Sequence, residues 1–355
     1  MHPAGTIDVL ETHRFDVGAL ERYLAEHLLH FAAPISVRQF RGGQSNPTYY
    51  LSGAASGADP LGPREYVLRR KPPGQLLPSA HAVDREYRVM TALRTSGVPV
   101  PKTYLLCEDP QVIGTPFFLM EYVAGQPMTD ATLPDRSPAE RRAMYESMIS
   151  VLARLHIVDW RAAGLTNYGK PGNYVARQVH RWTAQYRASE TERIEAMERL
   201  IEWLPAHIPP GDENAVVHGD YRPGNLLFHP SEPRVAAVID WELSTIGHPL
   251  VDLGHHVLIF RTGPEDFGAF ADRTRPEGIP SEGEYLDTYC RLTGRASLPE
   301  WEFYVAFAMF RFAAIFQGIF GRVVAGTAND PDARRAGARA RPLAERAWRL
   351  IESRY

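Results

Sequence analysis

The stretch His218-Gly219-Asp220-Tyr221-Arg222-Pro223-Gly224-Asn225, followed by Val238-Ile239-Asp240-Trp241-Glu242, decides how this chain reads. It sets an Asp, an Asn five residues later and a second Asp twenty residues after the first. Transfer of a phosphoryl group to a hydroxyl needs such a set. One carboxylate orients the hydroxyl and accepts its proton, while an amide and a second carboxylate hold magnesium on nucleotide phosphates. Taken singly, each residue has a plain structural role: Asp220 as a turn residue, Asn225 capping its own turn after Gly224, Asp240 ending a strand. The joint spacing favours the chemical reading. Asp220 is expected to be the catalytic base and Asn225 and Asp240 the magnesium ligands, since magnesium takes hard oxygen donors. Arg222 is expected to touch the transferred phosphate with its planar fork; its alternative is a surface pair with Glu242 or another acid. His218 is expected to pack beneath the loop and hydrogen-bond backbone.

Upstream, the pattern is that of short strands. Ile35–Phe40, Thr48–Leu51, Tyr66–Arg69, Tyr104–Leu106 and Phe117–Glu121 alternate or run apolar over strand-like lengths, with helices at about 14–30 and about 81–94, the second capped by Ser79. The Gly-, Ala-, Ser- and Pro-rich segment 53–63 reads as a mobile hairpin loop. Between the first two strands lies Arg41-Gly42-Gly43-Gln44-Ser45-Asn46, where Gly43, Ser45 and Asn46 are expected to bring backbone N–H groups to the nucleotide phosphates. It is no P-loop, because no Gly-Lys-Ser/Thr follows. Arg69 is expected to bind phosphate, oriented by Glu86 on the next helix, with Lys71 as the rival cation. Glu121-Tyr122-Val123 is expected to connect two lobes, with Glu121 and Val123 offering backbone groups to adenine and Tyr122 covering the ring.

Downstream the chain is mainly helical. Ser137-Pro138-Ala139-Glu140 is a helix start with a capping box, and the helix is expected to run to His156 and bury Met144, Met148, Leu152 and Leu155. A further helix over 174–187 carries Arg177, Gln178, Arg181, Trp182 and Gln185 on one face. Phe303–Gly321 is almost wholly apolar. Arg311 at its centre would cost at least about 2.5 kcal/mol at mid-bilayer, so a buried helix is expected, with an anionic partner for Arg311 that is either structural or a ligand. The segment 325–342, rich in Gly, Ala, Asp and Arg, reads as exposed and partly disordered. His248, Asp252, His255 and His256 do not have zinc-motif spacing; Asp252 is expected to brace the catalytic loop by accepting backbone hydrogen bonds.

These elements give an α+β fold with two lobes: residues 1–122 as a β-rich nucleotide-binding lobe, residues 123–355 as a helical lobe with the catalytic loop and acceptor site. The ligand is expected between them. A net charge of −3 over 355 residues excludes bulk attraction to nucleic acid or an anionic membrane. Two cysteines provide no disulfide framework, and no secretory signal is visible, so a cytoplasmic location is expected, with no integral membrane segment.

His218-Gly219-Asp220 through Asn225, Ile239-Asp240-Trp241-Glu242 and Gly247-x-Pro249-x-x-Asp252-Leu253 resemble the aminoglycoside phosphotransferase and choline kinase family. Residues Gly43-Gln44-Ser45-Asn46-Pro47-Thr48, Val67 to Gly74, Leu77 to His81 and Arg85-Glu86-Tyr87 look like the branch found as the kinase-like N-terminal domain of certain acyl-CoA dehydrogenases. The resemblance implies a bilobal protein-kinase-like fold, ATP and Mg2+ as cofactors, and phosphorylation of a small-molecule hydroxyl. For the second branch it implies hydroxyacyl chains or their CoA thioesters. Two positions depart from the family pattern: His248 stands where relatives carry Asp, and Arg222 where many antibiotic kinases carry His. Arg177, Arg181, Arg311 and Arg322 suit an anionic acceptor better than a polycationic antibiotic. An aminoglycoside kinase and a nucleotide-binding pseudokinase are the alternatives.

Overall fold

The structure, a computed structural model, describes residues 3, 5–29, 31, 33–41, 46–53, 65–72, 82–265, 268–271, 273–327 and 332–353. Gly43, Ser45, the 54–63 part of the hairpin loop, and Ser79 with the expected start of its helix lie outside the described residues. The chain forms two compact units. Residues 1–125 and 236–244 make the first; residues 126–235 and 245–355 make the second.

The first unit is built on a six-stranded antiparallel sheet. Its strands are β1 (Thr6–Ile7), β2 (Ile35–Phe40), β3 (Thr48–Gly53), β4 (Glu65–Arg70), β5 (Thr103–Cys107) and β6 (Phe117–Glu121), in the order β1-β2-β3-β4-β6-β5. The sequence reading had no counterpart to β1, whose two residues are too short for any period to show. Register follows the apolar residues. Leu68 pairs with Tyr49 on one side and Leu119 on the other, and all three are fully buried. Helix α1 (Val17–His27) starts at Asp16, whose carboxylate accepts from Ala19 N at 2.9 Å, and it buries Leu20 and Leu24 in the sheet's core. Helix α2 (Val83–Leu93) begins at Ala82, a cap with no side-chain hydrogen bond. It buries Val83, Glu86, Val89, Met90 and Leu93. Glu86 is the one charged member of that face.

In the second unit, β7 (Gln126–Pro127) pairs antiparallel with β9 (Leu226–Phe228), and β8 (Ala215–Val217) with β11 (Thr245–Gly247). Strand β10 (Val235–Val238) carries the chain into the first unit. Helix α3 (Pro138–His156) starts with the expected reciprocal cap between Ser137 and Glu140 and buries Met144, Met148, Leu152 and Leu155 as anticipated. Next come α4 (Tyr174–Ser189), α5 (Glu195–Ala206), α6 (Pro249–His256), α7 (Leu258–Arg261) and α8 (Glu282–Thr293). Helix α9 (Trp301–Val324) is long and apolar enough to cross a membrane, yet most of it is buried inside this unit. It packs against α4, α6, α10 (Ala333–Gly337) and α11 (Ala340–Glu352). Most described residues of 325–342 are exposed as expected, among them Ala325, Gly326, Thr327, Arg334, Arg335, Arg341 and Pro342. The expectation of partial disorder is corrected over 333–337 and 340–342, which are helical and bury the small residues Ala333, Gly337 and Ala340 in close helix packing.

Candidate active site

Strand β8 delivers the chain to Gly219, whose φ of +82° is open to glycine and costly to other residues. Both polar backbone groups of Gly219 are held. Its N–H donates to Asp252 Oδ1 at 2.9 Å, and its carbonyl accepts from Arg311 Nη2 at 2.7 Å. The N–H of His218 donates to Asp252 Oδ2 at 2.6 Å. Asp252, on α6, thus braces the loop as the sequence suggested. Burial pushes its carboxyl up, but His156 at 3.5 Å and the His218 backbone and ring outweigh that and bring it down to about 2. His218 accepts from Asp220 N at 3.2 Å through Nδ1, the backbone role expected of it. Tyr221 is fully buried and its hydroxyl donates to Met148 O at 2.8 Å, tying the loop to α3.

Asp220 therefore projects from a loop fixed on several sides. Its Oδ2 accepts from Asn225 Nδ2 at 2.8 Å and Arg222 Nε at 3.1 Å; its Oδ1 lies 3.2 Å from His255 Nε2. Burial raises the Asp220 carboxyl, yet the hydrogen bond with His255, together with Arg222 and His218, holds it well below the usual carboxylate range. The group is ionised at neutral pH. Asn225 also donates to Asp220 O at 2.9 Å, so its amide nitrogen is anchored and its Oδ1 is the side chain's acceptor. Arg222, half exposed, pairs with Asp220.

His255 is the residue that sequence reasoning missed: it was weighed only within a metal cluster. Burial holds His255, His248 and His256 below the ordinary imidazole value, the last two down to about 4 and about 3. His248 Nδ1 caps α6 by accepting from Leu250 N at 3.3 Å, and His256 Nε2 lies 2.7 Å from the Tyr285 hydroxyl. The departure at position 248 thus leaves the Asp252 brace intact.

Of the two anionic partners expected for Arg311, an acid of the protein or a ligand, the first is not found among the described residues. Among the described residues its guanidinium meets the Gly219 carbonyl and the Trp182 ring, 5.2 Å away, while its buried Nε has no partner. Arg177 is spent on the carbonyls of Gly172 and, at 2.6 Å, Lys170, so it serves the start of α4.

In the first unit, Arg69 ends up buried at 8% exposure, with Nε 2.9 Å from Glu86 Oε1, Nη2 2.6 Å from Asp240 Oδ1 and 3.5 Å from Glu242 Oε2. The pairing of Arg69 with Glu86 is the one expected. Lys71 follows the strand's end, its N–H still bonded to Pro116 O at 3.0 Å. Asn46 is fully buried and donates to Glu86 Oε1 at 3.1 Å, so its side chain faces the ion pair. Burial drives Glu86 up to about 7, against the pull of Arg69, with Asp240 and Glu242 adding to the rise. Asp240 sits in the left-handed region at φ 65° and ψ 62°, ahead of the 3-10 turn Trp241–Leu243. Such strain in a non-glycine residue persists where its surroundings over-determine it. Here the buried Trp241 indole, donating to Val238 O at 2.9 Å, pins the turn. Glu121 N–H is used by Lys102 O at 2.8 Å and its carboxylate accepts from Lys102 N, while Tyr122 lies edge-on to Tyr50 at 5.1 Å. Among the described residues Val123 N–H has no hydrogen-bond acceptor.

Residues 36–301 match the sequence profile of the phosphotransferase enzyme family. The chain belongs to that family. Over 97% of its length it is 46% identical to the mouse protein named acyl-CoA dehydrogenase family member 10, covering 32% of that protein. The chain spans less than half the length of the curated relatives it matches. A solved structure of a candidate aminoglycoside phosphotransferase from Ralstonia eutropha is 49% identical and superposes with a TM-score of 0.86, covering 96% of this chain and 99% of the other. A choline kinase from Cryptosporidium parvum is 13% identical with a TM-score of 0.66, covering 95% and 97%, which shows the shared fold. The fold is accordingly the bilobal α+β, kinase-like one.

Proposed function

We propose that this chain is an ATP- and Mg2+-dependent phosphotransferase that phosphorylates a hydroxyl of a small anionic molecule, a hydroxyacyl compound or its CoA ester. The Asp220 carboxylate carries the reading. It is ionised, holds three side-chain hydrogen bonds and sits on a loop whose backbone is bound by Asp252 and Arg311. In this reading Asp220 aligns the acceptor hydroxyl and takes its proton as the oxygen bonds to the transferred phosphorus and the bridging oxygen leaves with ADP. Arg222, already half exposed, turns to the transferred phosphate.

The residues proposed for magnesium suit it. The Asn225 amide oxygen and the Asp240 carboxylate, one-third exposed, are hard oxygen donors, and magnesium takes one or two of these beside phosphates and water. Bound there, the ion would neutralise charge on the phosphates. Arg69, oriented by Glu86, would also face phosphate; backbone groups at Gly43, Ser45 and Asn46 would join it, and those of Glu121 and Val123 would meet adenine. An acceptor of negative charge is supported by Arg311, buried with no carboxylate beside it among the described residues, and by the exposed Arg181. The relatives' names mention acyl-CoA, and a hydroxyl on such an acyl chain is the acceptor this reading takes from them.

A coupled assay of ADP release across hydroxyacids, their CoA esters, choline and aminoglycosides tests this. The expected result is the highest kcat/KM with a hydroxyacyl compound. An aminoglycoside turned over in preference to every anionic acceptor would transfer the assignment to an antibiotic kinase, the reading favoured by the description of the Ralstonia relative.

A further inference from the structure

We propose that His255 is the positioning residue for Asp220: its Nε2–H fixes the plane of the carboxylate, while Asp252, one helical turn earlier on α6, fixes the backbone of the same loop. The inference rests on the reading of Asp220 as the base of phosphoryl transfer.

Residues 252 and 255 are three apart in a helix and so present their side chains on the same face. From that face Asp252 receives the N–H groups of His218 and Gly219, at 2.6 and 2.9 Å, and His255 reaches the next side chain along, with Nε2 3.2 Å from Asp220 Oδ1. The His255 side chain is 3% exposed and its ring lies against Phe312, with centroids 4.9 Å apart. Its Nδ1 is buried without a hydrogen-bond partner. Leaving a buried polar atom unpaired costs about 1–3 kcal/mol, so packing alone does not account for imidazole here. The contact with Asp220 does. Facing a carboxylate that only accepts, Nε2 carries the hydrogen, and the unpaired Nδ1 is the ring's other, unprotonated nitrogen.

The two oxygens of Asp220 are then unequal. Oδ1 is bound by His255, buried and confined. Oδ2 is bound by Asn225 and by Arg222, which is half exposed. With Arg222 turned away, Oδ2 keeps one bond and an open lone pair for the acceptor hydroxyl. The bond from His255 keeps the carboxylate from rotating as that happens. A reacting group misplaced by 1 Å costs about 100-fold in rate.

Two variants and one spectrum test this. His255→Leu removes the donor. His255→Gln restores an N–H donor where Nε2 stood. With the best acceptor from the panel, His255→Leu is expected to lower kcat about 10- to 100-fold, with KM for ATP within about 2-fold of the parent; His255→Gln is expected to regain most of the loss. Full kcat in His255→Leu would overturn the proposal, as would His255→Gln performing no better than His255→Leu. The 15N-histidine NMR spectrum of the unmodified protein reads the contact without any turnover. An Nε2–H tautomer at His255 that shifts in Asp220→Asn supports it; an Nδ1–H tautomer, or a ring indifferent to Asp220→Asn, contradicts it. If no acceptor is turned over, the functional reading fails by itself, and the spectrum still decides whether His255 holds Asp220.

Discussion

Arg69 donates from Nη2 to the Asp240 carboxylate at 2.6 Å, joining a strand end to the strained turn before Trp241 within one unit. The same guanidinium holds the almost fully buried Glu86 at 2.9 Å. One cation thus serves three acids, Glu86, Asp240 and Glu242, and it is the hub on which the first unit's charge balance turns.

Arg69→Gln should therefore destabilise strongly. At pH 8, with Glu86 ionised, removing the cation leaves a buried carboxylate uncompensated, a cost of about 3–5 kcal/mol. Urea unfolding of the two proteins measures it. A loss below about 1 kcal/mol would show that water already reaches the pair.

Stability should also fall with pH across a defined window. Glu86 is raised from 4.5 to about 7, chiefly by burial. A raised carboxyl binds a proton in the folded chain that the unfolded chain has released. Its contribution is complete below about 4.5, declines as pH rises through about 7, and is constant beyond. Glu86→Gln removes this term, so the variant should gain on the parent between about pH 5 and pH 8 in urea titrations. A stability difference independent of pH would contradict the shift.

Asp252→Ala should cost more than an ordinary buried truncation. The N–H groups of His218 and Gly219 lose their acceptor, and each orphaned donor costs about 1–3 kcal/mol. Asp252→Asn, which retains one accepting oxygen, should fall between. Chemical denaturation ranks the three proteins; equal stability of the two variants would show that only one of the bonds matters.

How much of this was legible beforehand varies by residue. The Asp220–Asn225–Asp240 spacing pointed to the family because phosphoryl transfer restricts both residue type and order. The Ser137 cap and the α3 core positions followed from local rules that tertiary context does not override. The Arg69–Glu86 pair was foreseen, but Asp240 as a further partner was not, since strand-to-turn contacts far apart in sequence leave no local mark. Residues 236–244 joining the first unit is of the same kind: the Val238 N–H bonds to Pro99 O at 2.8 Å, and nothing in composition announces it. The helical order of α10 was not legible in its Gly, Ala and Arg content, because Ala333 and Gly337 are too small to mark a buried face. For Arg311 an anionic partner, structural or a ligand, is expected because buried cations usually have one; the glycine carbonyl and indole face that it meets cannot be located by counting charges.

Asp240→Ala should abolish the gain in ATP affinity that magnesium confers, because the carboxylate offered to the ion is gone. Isothermal titration of ATP with and without Mg2+ reads this directly. A magnesium effect of the parent's size in the variant would place the ion on other oxygens.

The most direct measurement is phosphoryl transfer by the Asp220→Asn variant, followed by 31P NMR of a phosphorylated acceptor beside ATP binding. The expected outcome is a fall in kcat of about 100- to 10,000-fold, with ATP affinity close to the parent's. Turnover at the parent's rate would contradict the assignment of Asp220 as the base.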